Sequence, residues 1–107
     1  MIIGDEMIKL QSTEQFANLK NKNTVFIFTA KWCSDCRYIE PFLGEIEKMY
    51  PEMEFVHVDR DEFIDLCIEN NVYGIPSFLV FRNNQLIGSF ISKLRKTKME
   101  IIWILRK

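Results

Sequence analysis

A run of apolar residues at positions 24–30, TVFIFTA, constrains the fold of this chain more than any other segment. Its residues are mostly β-branched or aromatic, and large apolar side chains fall on both faces of the strand that they would form. Such a strand is stable when helices cover both sides of its sheet. A chain of 107 residues, of which 48% are hydrophobic, has enough material for one core. We therefore expect a single α/β domain, spanning residues 1–107, built around this strand.

The rest of the chain alternates between strand and helix patterns. Strands are predicted at 7–10, 54–59, 77–81 and 85–90, and helices at 12–20, 34–50, 61–70 and 97–106. Asn83 and Asn84 separate the last two strands, and they predict a hairpin because asparagine tolerates the positive φ of a tight turn. With the strand at 24–30, the order is β-α-β-α-β-α-β-β-α. This order predicts a mixed central β-sheet with helices on both faces.

The net charge and the N-terminal sequence bear on where the chain acts. A net charge of −1 gives no electrostatic reason to expect nucleic acid or a membrane surface as a partner. The first ten residues, MIIGDEMIKL, lack the basic start and the long apolar stretch of a secretory signal. No apolar run approaches the roughly 18 residues that a membrane-spanning helix needs. We therefore expect the chain to act in the cytoplasm. We also expect it to be a monomer.

Two of the three cysteines are separated by only two residues, in the segment KWCSDC at 31–36. In a reducing compartment such a pair is more often catalytic or metal-binding than structural. Cys33 follows the buried strand and opens the next helix, where free amides and the helix dipole stabilise a thiolate. The pKa of a cysteine there can be lowered from about 8.5 toward roughly 7. Cys33 would then attack a substrate disulfide, and Cys36, one helical turn away, would resolve the mixed disulfide.

A zinc half-site is the alternative interpretation of the cysteine pair. Zinc usually takes four ligands, and Cys67 and His57 are the only other cysteine and histidine of the sequence. Cys67 is predicted to be a small buried hydrophobe on its helix, and His57 to be a structural residue within a strand. Thiol–disulfide chemistry is therefore favoured over metal binding. A binding module in which the thiols are incidental stays open as a third interpretation.

The motif FTAKWCSDC, followed about forty residues later by YGIPSFLVF, resembles thioredoxin, and the resemblance extends over essentially the whole chain. It implies the thioredoxin fold and a thiol–disulfide oxidoreductase that reduces disulfide-bearing protein substrates. It also implies that the chain needs no cofactor of its own and that a thioredoxin reductase or a low-molecular-weight thiol supplies the electrons. The runner-up is a glutaredoxin-like reductase of small-thiol mixed disulfides. The tryptophan before the pair and the GIP segment weigh against that alternative.

The same resemblance implies a substrate platform around the two cysteines. Pro76 is implied to be cis and to pack against the sulfurs, while Ile75 is implied to offer backbone hydrogen bonds to the bound substrate. Trp32 and the turn at Ser92 would complete the apolar surface. Ser92 stands where a glycine is common in thioredoxins.

The sequence also departs from the thioredoxin pattern, both between the two cysteines and at two positions outside the cysteine motif. Ile27 and Phe55 stand where most thioredoxins have a buried aspartate and its lysine partner. Their joint replacement is consistent with burial, because one charge without its partner would be costly. Ser34 and Asp35 replace the usual Gly-Pro between the cysteines. Asp35 either serves only as a favourable acid in the first turn of the helix or tunes the pair as well.

The substitution Asp35→Asn tests these two roles. A negative charge near Cys33 disfavours its thiolate, so the variant is expected to lower the pKa of the Cys33 thiol. The disulfide should also become more oxidising, because a more stable thiolate stabilises the reduced form. Thiolate absorbance against pH and a redox titration measure the two effects. An unchanged titration and an unchanged potential would leave Asp35 as a helix-capping acid only.

Overall fold

The central strand expected from TVFIFTA lies in the middle of a mixed sheet. The computed structural model describes residues 7–91. In this part of the chain the strands are β1 (Ile8–Lys9), β2 (Thr24–Thr29), β3 (Glu54–Asp59), β4 (Ser77–Arg82) and β5 (Gln85–Phe90), and the helices are α1 (Thr13–Leu19), α2 (Ser34–Met49) and α3 (Ile64–Glu69). This order confirms the predicted one as far as β5. The helix predicted at 97–106 lies outside the described residues.

The sheet has the strand order β1-β3-β2-β4-β5. Strands β1, β3 and β2 run parallel to one another, whereas β4 and β5 are antiparallel to their neighbours. The predicted mixed sheet is therefore confirmed. Because β2 and β3 are parallel, their C-terminal ends lie at the same edge of the sheet, and the cysteine segment leaves the sheet there.

Strand β2 is buried at all six of its positions. Phe26 and Phe28 pack on one face of the sheet with buried residues of α1 and α3. Val25 and Ile27 pack on the other face with buried residues of α2. Alternation along a strand sends successive side chains to opposite faces, so an apolar strand needs both helical layers. The sequence prediction of helices on both faces is confirmed.

The local signals at α1 and at the hairpin also have the expected structural effect. Ser12 caps α1, since its hydroxyl oxygen accepts a hydrogen bond from the Gln15 amide over 3.1 Å. Asn83 and Asn84 join β4 to β5 and have φ angles of 52° and 67°. Two consecutive positive φ angles define the type of turn that suits the twist of a two-stranded hairpin.

Strand β2 supplies four of the largest fully buried side chains of the described residues, Val25, Phe26, Ile27 and Phe28. The ring of Phe26 is fully buried, and its centroid lies 4.3 Å from that of Phe16 and 5.7 Å from that of Phe81. We expect Phe26→Leu to lower the free energy of unfolding by about 1–3 kcal/mol, because it leaves a cavity among these rings. Urea unfolding at equilibrium measures this loss.

The matched control is Leu86→Ala, which shortens a half-exposed side chain on β5. Its effect should stay below about 0.5 kcal/mol. Equal losses in the two variants would contradict the expectation that the buried Phe26 ring contributes more to stability than an exposed side chain.

Candidate functional site

The two cysteines lie where strand β2 gives way to helix α2. Cys33 is the N-cap residue of α2, and its sulfur accepts a hydrogen bond from the Cys36 amide over 3.1 Å. The sulfurs are at disulfide distance, with 5.3 Å between the two Cα atoms. A helix N-terminus offers amide donors and a positive dipole end to a negatively charged sulfur. The pair therefore lies where a thiolate is stabilised and where a disulfide can close.

Both sulfur-bearing side chains are largely covered. Cys33 is 6% exposed and Cys36 is 4% exposed, and together with Ala30 they form a small apolar cluster against which Ile75 packs. The Cys33 sulfur lies 4.0 Å from the Ile75 carbonyl oxygen. The peptide bond from Ile75 to Pro76 is cis. Of the residues predicted for the site, Cys33, Cys36, Ile75 and Pro76 are thus brought together.

Trp32 is held on the surface beside the pair. Its side chain is 61% exposed, and its indole Nε1 donates a hydrogen bond to Asp61 Oδ2 over 2.8 Å. The guanidinium carbon of Arg60 lies 5.6 Å from the centroid of the indole ring. Arg60 Nη1 also contacts Asp61 Oδ1 at 3.1 Å. The indole is therefore fixed by a carboxylate at its edge and faced by a cation.

Arg60 and Asp61 are members of the site that were not predicted from the sequence. Both follow directly on β3, whereas Trp32 follows on β2. Residues that leave neighbouring parallel strands at their carboxyl ends converge at one edge of the sheet. This rule, applied to the predicted strand ends at 30 and 59, was the signal that could have found them.

The remaining predicted site residues are differently placed. Asp35 lies in the first turn of α2 and is half-buried. Arg37, in the same turn, donates from Nη1 to the Lys31 carbonyl oxygen over 2.8 Å, so its cation lies over the turn that precedes Cys33. Ser92 lies outside the described residues, and its part in the platform stays a prediction.

The positions of the absent buried ion pair are filled by apolar side chains. Ile27 is fully buried and Phe55 is 2% exposed, and both belong to the cluster beneath α2. Apolar side chains at both positions avoid the desolvation that a buried ion pair would require. The joint replacement of aspartate and lysine is thus accommodated by hydrophobic packing.

His57 is the cross-strand partner of Ile27 in the β2–β3 register. Its ring nitrogen Nε2 is hydrogen-bonded to the Thr29 hydroxyl. Burial lowers the pKa of His57, an effect that the nearby carboxylates of Asp59 and Glu40 oppose and the Lys9 ammonium reinforces. A neutral, hydrogen-bonded imidazole between two strands agrees with the predicted structural histidine.

Cys67, the cysteine outside the pair, does not belong to the site. Cys67 is buried in the cluster that α1 and α3 form on the opposite face of the sheet from α2. Burial raises the pKa of its thiol, which keeps it protonated and unreactive. Among residues 7–91, no three His, Cys, Asp or Glu side chains are grouped so as to hold a metal ion. No helix within these same residues is long and apolar enough to cross a membrane.

Comparison with known proteins places these observations in a family context. The thioredoxin family model matches residues 6–105 of the chain. A mitochondrial thioredoxin-3 of Saccharomyces cerevisiae is 36% identical over 85 residues, which are 78% of this chain and 67% of that protein. A mitochondrial thioredoxin-2 of Schizosaccharomyces pombe is 29% identical over 99 residues, which are 88% of this chain and 74% of that protein.

Solved structures agree with these sequence matches. Oxidised mitochondrial thioredoxin 3 of Saccharomyces cerevisiae superposes with a TM-score of 0.85 at 30% identity, covering 98% of this chain and 99% of that one. The thioredoxin of Trypanosoma brucei brucei also superposes with a TM-score of 0.85, at 28% identity, covering 94% and 88% of the two chains. The fold expected from the sequence is thereby confirmed.

The prediction of a cytoplasmic location is wrong. The two yeast relatives described above are mitochondrial thioredoxins, and they point away from the cytoplasm. A chain that is neither secreted nor embedded in a membrane can act in more than one compartment, so the sequence features do not single out the cytoplasm.

The lowered pKa of His57, the one histidine of the sequence, predicts a pH dependence of stability. The unfolded chain binds a proton at this residue near the ordinary pKa of about 6.5, whereas the folded chain binds it only at lower pH. The unfolded state therefore takes up more protons as pH falls below about 6.5, and stability decreases in that range.

Urea unfolding at several pH values between about 7.5 and 5.5 tests this prediction. The wild-type chain should lose stability over this range, and His57→Gln should lose less of it, because glutamine does not titrate. The same pH dependence in both chains would rule out His57 as its source.

Proposed function

The chain belongs to the thioredoxin family and is a thiol–disulfide oxidoreductase, and we propose that Cys33 is its attacking thiol and Cys36 its resolving thiol. The observation that carries this assignment is the position of the Cys33 sulfur. It caps helix α2 and accepts the hydrogen bond of the Cys36 amide. An amide hydrogen bond and the helix dipole both favour the thiolate form of Cys33.

The reaction proceeds in two exchanges. The Cys33 thiolate attacks one sulfur of the substrate disulfide, forming a mixed disulfide and releasing the other substrate sulfur as a thiolate. Cys36 then loses its proton and attacks the Cys33 sulfur, which breaks the mixed disulfide and releases the second substrate sulfur. Two electrons pass from the pair to the substrate, whose two sulfurs take up the two protons. The pair is left as the Cys33–Cys36 disulfide, the state in which the sulfurs lie in this structure.

The surface around the pair is proposed to hold the substrate during these exchanges. Trp32 offers a large exposed ring, and Ile75 offers its carbonyl oxygen 4.0 Å from the Cys33 sulfur. Pro76 follows in the cis form, and Ser92 is proposed to close the platform on its remaining side. An extended substrate segment could then bind through backbone hydrogen bonds at Ile75 and apolar contact at Trp32.

The partners follow from the same chemistry. Disulfide-bearing proteins are the proposed substrates, and a thioredoxin reductase or a low-molecular-weight thiol is the proposed electron donor. The exchange needs no cofactor, because the two thiols themselves hold the electrons. Monomeric action is proposed, since one chain contributes both cysteines.

Reduction of insulin disulfides with dithiothreitol as electron donor tests the proposed function. The wild-type chain should accelerate the reaction, and Cys33→Ser should reduce the rate to that of dithiothreitol alone. Cys36→Ser should accumulate a mixed disulfide through Cys33, which intact-mass measurement detects, because no second thiol is present to resolve it.

The matched control is Cys67→Ser, which removes the thiol on the other face of the sheet. It should retain the wild-type catalytic rate at temperatures where it is folded. A wild-type rate in Cys33→Ser would overturn the assignment of the attacking thiol, and loss of activity in folded Cys67→Ser would overturn the assignment of the pair as sufficient.

A further inference from the structure

Arg60 holds a cation against the exposed ring that precedes the attacking cysteine. Its guanidinium carbon lies 5.6 Å from the centroid of the Trp32 ring. Its own amide donates to the Thr29 carbonyl oxygen over 2.8 Å, so its backbone is tied to the last residue of β2. Because Trp32 is separated from Cys33 by no other residue, a positive charge on this ring lies close to any substrate that reaches the sulfur.

One carboxylate fixes the indole and the guanidinium relative to each other. Asp61 accepts from Trp32 Nε1 through Oδ2 at 2.8 Å and from Arg60 Nη1 through Oδ1 at 3.1 Å. The bond to Asp61 uses one N–H of a group that has five. The planar guanidinium can lie on an aromatic ring and still bind a carboxylate in its own plane, which a lysine ammonium cannot do in the same way. The N–H groups of Arg60 that do not bind Asp61 can therefore donate to an anion.

Two further cations surround the same turn. Lys31 immediately precedes Trp32, and Arg37 is hydrogen-bonded to the Lys31 carbonyl oxygen over 2.8 Å. Both side chains are exposed. Acids also lie nearby: Asp35 in the first turn of α2, Asp61 bound to Trp32 and Arg60, and Asp59 and Glu62 on either side of Arg60 and Asp61. The Asp59 carboxylate is turned toward the backbone, where it accepts from the Asp61 amide over 2.9 Å. Arg60 is thus the cation that lies on the Trp32 ring, and Lys31 and Arg37 lie at the turn before Cys33.

We propose that Arg60 binds a carboxylate of the protein substrate and makes the chain selective for disulfides whose flanking residues are acidic. The proposal rests on the proposed function, because it concerns the substrate of the same two cysteines. The occupant is an extended protein segment that places an apolar residue on Trp32 and an aspartate or glutamate beside Arg60. Charge complementarity with the cations around Trp32 favours such a segment over a basic one.

The size of the selectivity follows from the exposure of the site. The side chains of Arg60 and Asp61 are 39% and 51% exposed, so a substrate carboxylate remains partly in water. An ion pair of this kind contributes about two- to fivefold to kcat/KM. Screening by salt acts over about 10 Å at moderate ionic strength, so the contribution should disappear in high salt.

The test uses two peptides with the same internal disulfide, one flanked by aspartates and the other by lysines. Reduced full-length chain is mixed with each peptide, and the released peptide thiols are quantified by mass spectrometry after alkylation. Wild type should reduce the acidic peptide about two- to fivefold faster than the basic one at low salt. Arg60→Glu should reverse this preference, and Arg60→Gln should diminish it. High salt should remove the preference of the wild type.

Lys22→Glu is the matched control. It makes the same change of charge in an exposed residue just before the other end of β2. It should keep the wild-type preference, because it lies far from Trp32 along the strand. Thermal unfolding of each variant establishes that it is folded at the assay temperature.

Equal rates on the two peptides for wild type, or an unchanged preference in Arg60→Glu, would overturn the proposal. A change in Lys22→Glu as large as that in Arg60→Glu would also overturn it, since net charge alone would then explain the effect. Reduction of both peptides by wild type but by neither in Cys33→Ser would still support the proposed function. The two conclusions therefore fail separately.

Discussion

The burial of strand β2 on both faces is the constraint on which the rest of this structure depends. Its side chains require helices on both sides of the sheet, and α1 and α3 cover one face while α2 covers the other. To reach the α2 face, the chain must leave β2 and turn back into a helix at once. The turn delivers Cys33 to the N-cap position of that helix, so the packing of the core and the position of the sulfur have one origin.

The electrostatics of the site are arranged in two layers. Beneath helix α2, Ile27 and Phe55 form part of an apolar cluster. On strand β3, burial lowers the pKa of His57, whose ring is hydrogen-bonded to the Thr29 hydroxyl. At the N-terminus of α2, the helix end favours a thiolate at Cys33, and Arg60 lies on the ring of Trp32. Electrostatic interactions are stronger beside an apolar interior than in open water. The apolar packing beneath α2 therefore strengthens the interactions of charged groups at the end of that helix.

Sequence patterns predicted the parts of this arrangement that depend on near neighbours along the chain. The bounds of β3, the asparagine turn and the start of α2 at residue 34 needed only side-chain type and spacing. The contacts of Trp32 with Asp61 and Arg60 were missed because they join residues about thirty positions apart, which meet only once β2 and β3 are known to be adjacent. Strand β1 was predicted too long, since its pairing with β3 covers only two residues at the sheet edge.

Direct measurement of the redox equilibrium of the cysteine pair tests the central claim that Cys33 and Cys36 exchange electrons as one unit. The chain is equilibrated with a series of glutathione redox buffers, and each cysteine is assigned as thiol or disulfide by alkylation and peptide mass spectrometry. Dithiol exchange by this pair requires a single two-electron transition of about 30 mV per tenfold change in the ratio of the two forms, shared by Cys33 and Cys36. Cys67 should be alkylated as a thiol, and only after unfolding. A pair that remains reduced throughout, or that titrates as two separate mixed disulfides with glutathione, would contradict the claim.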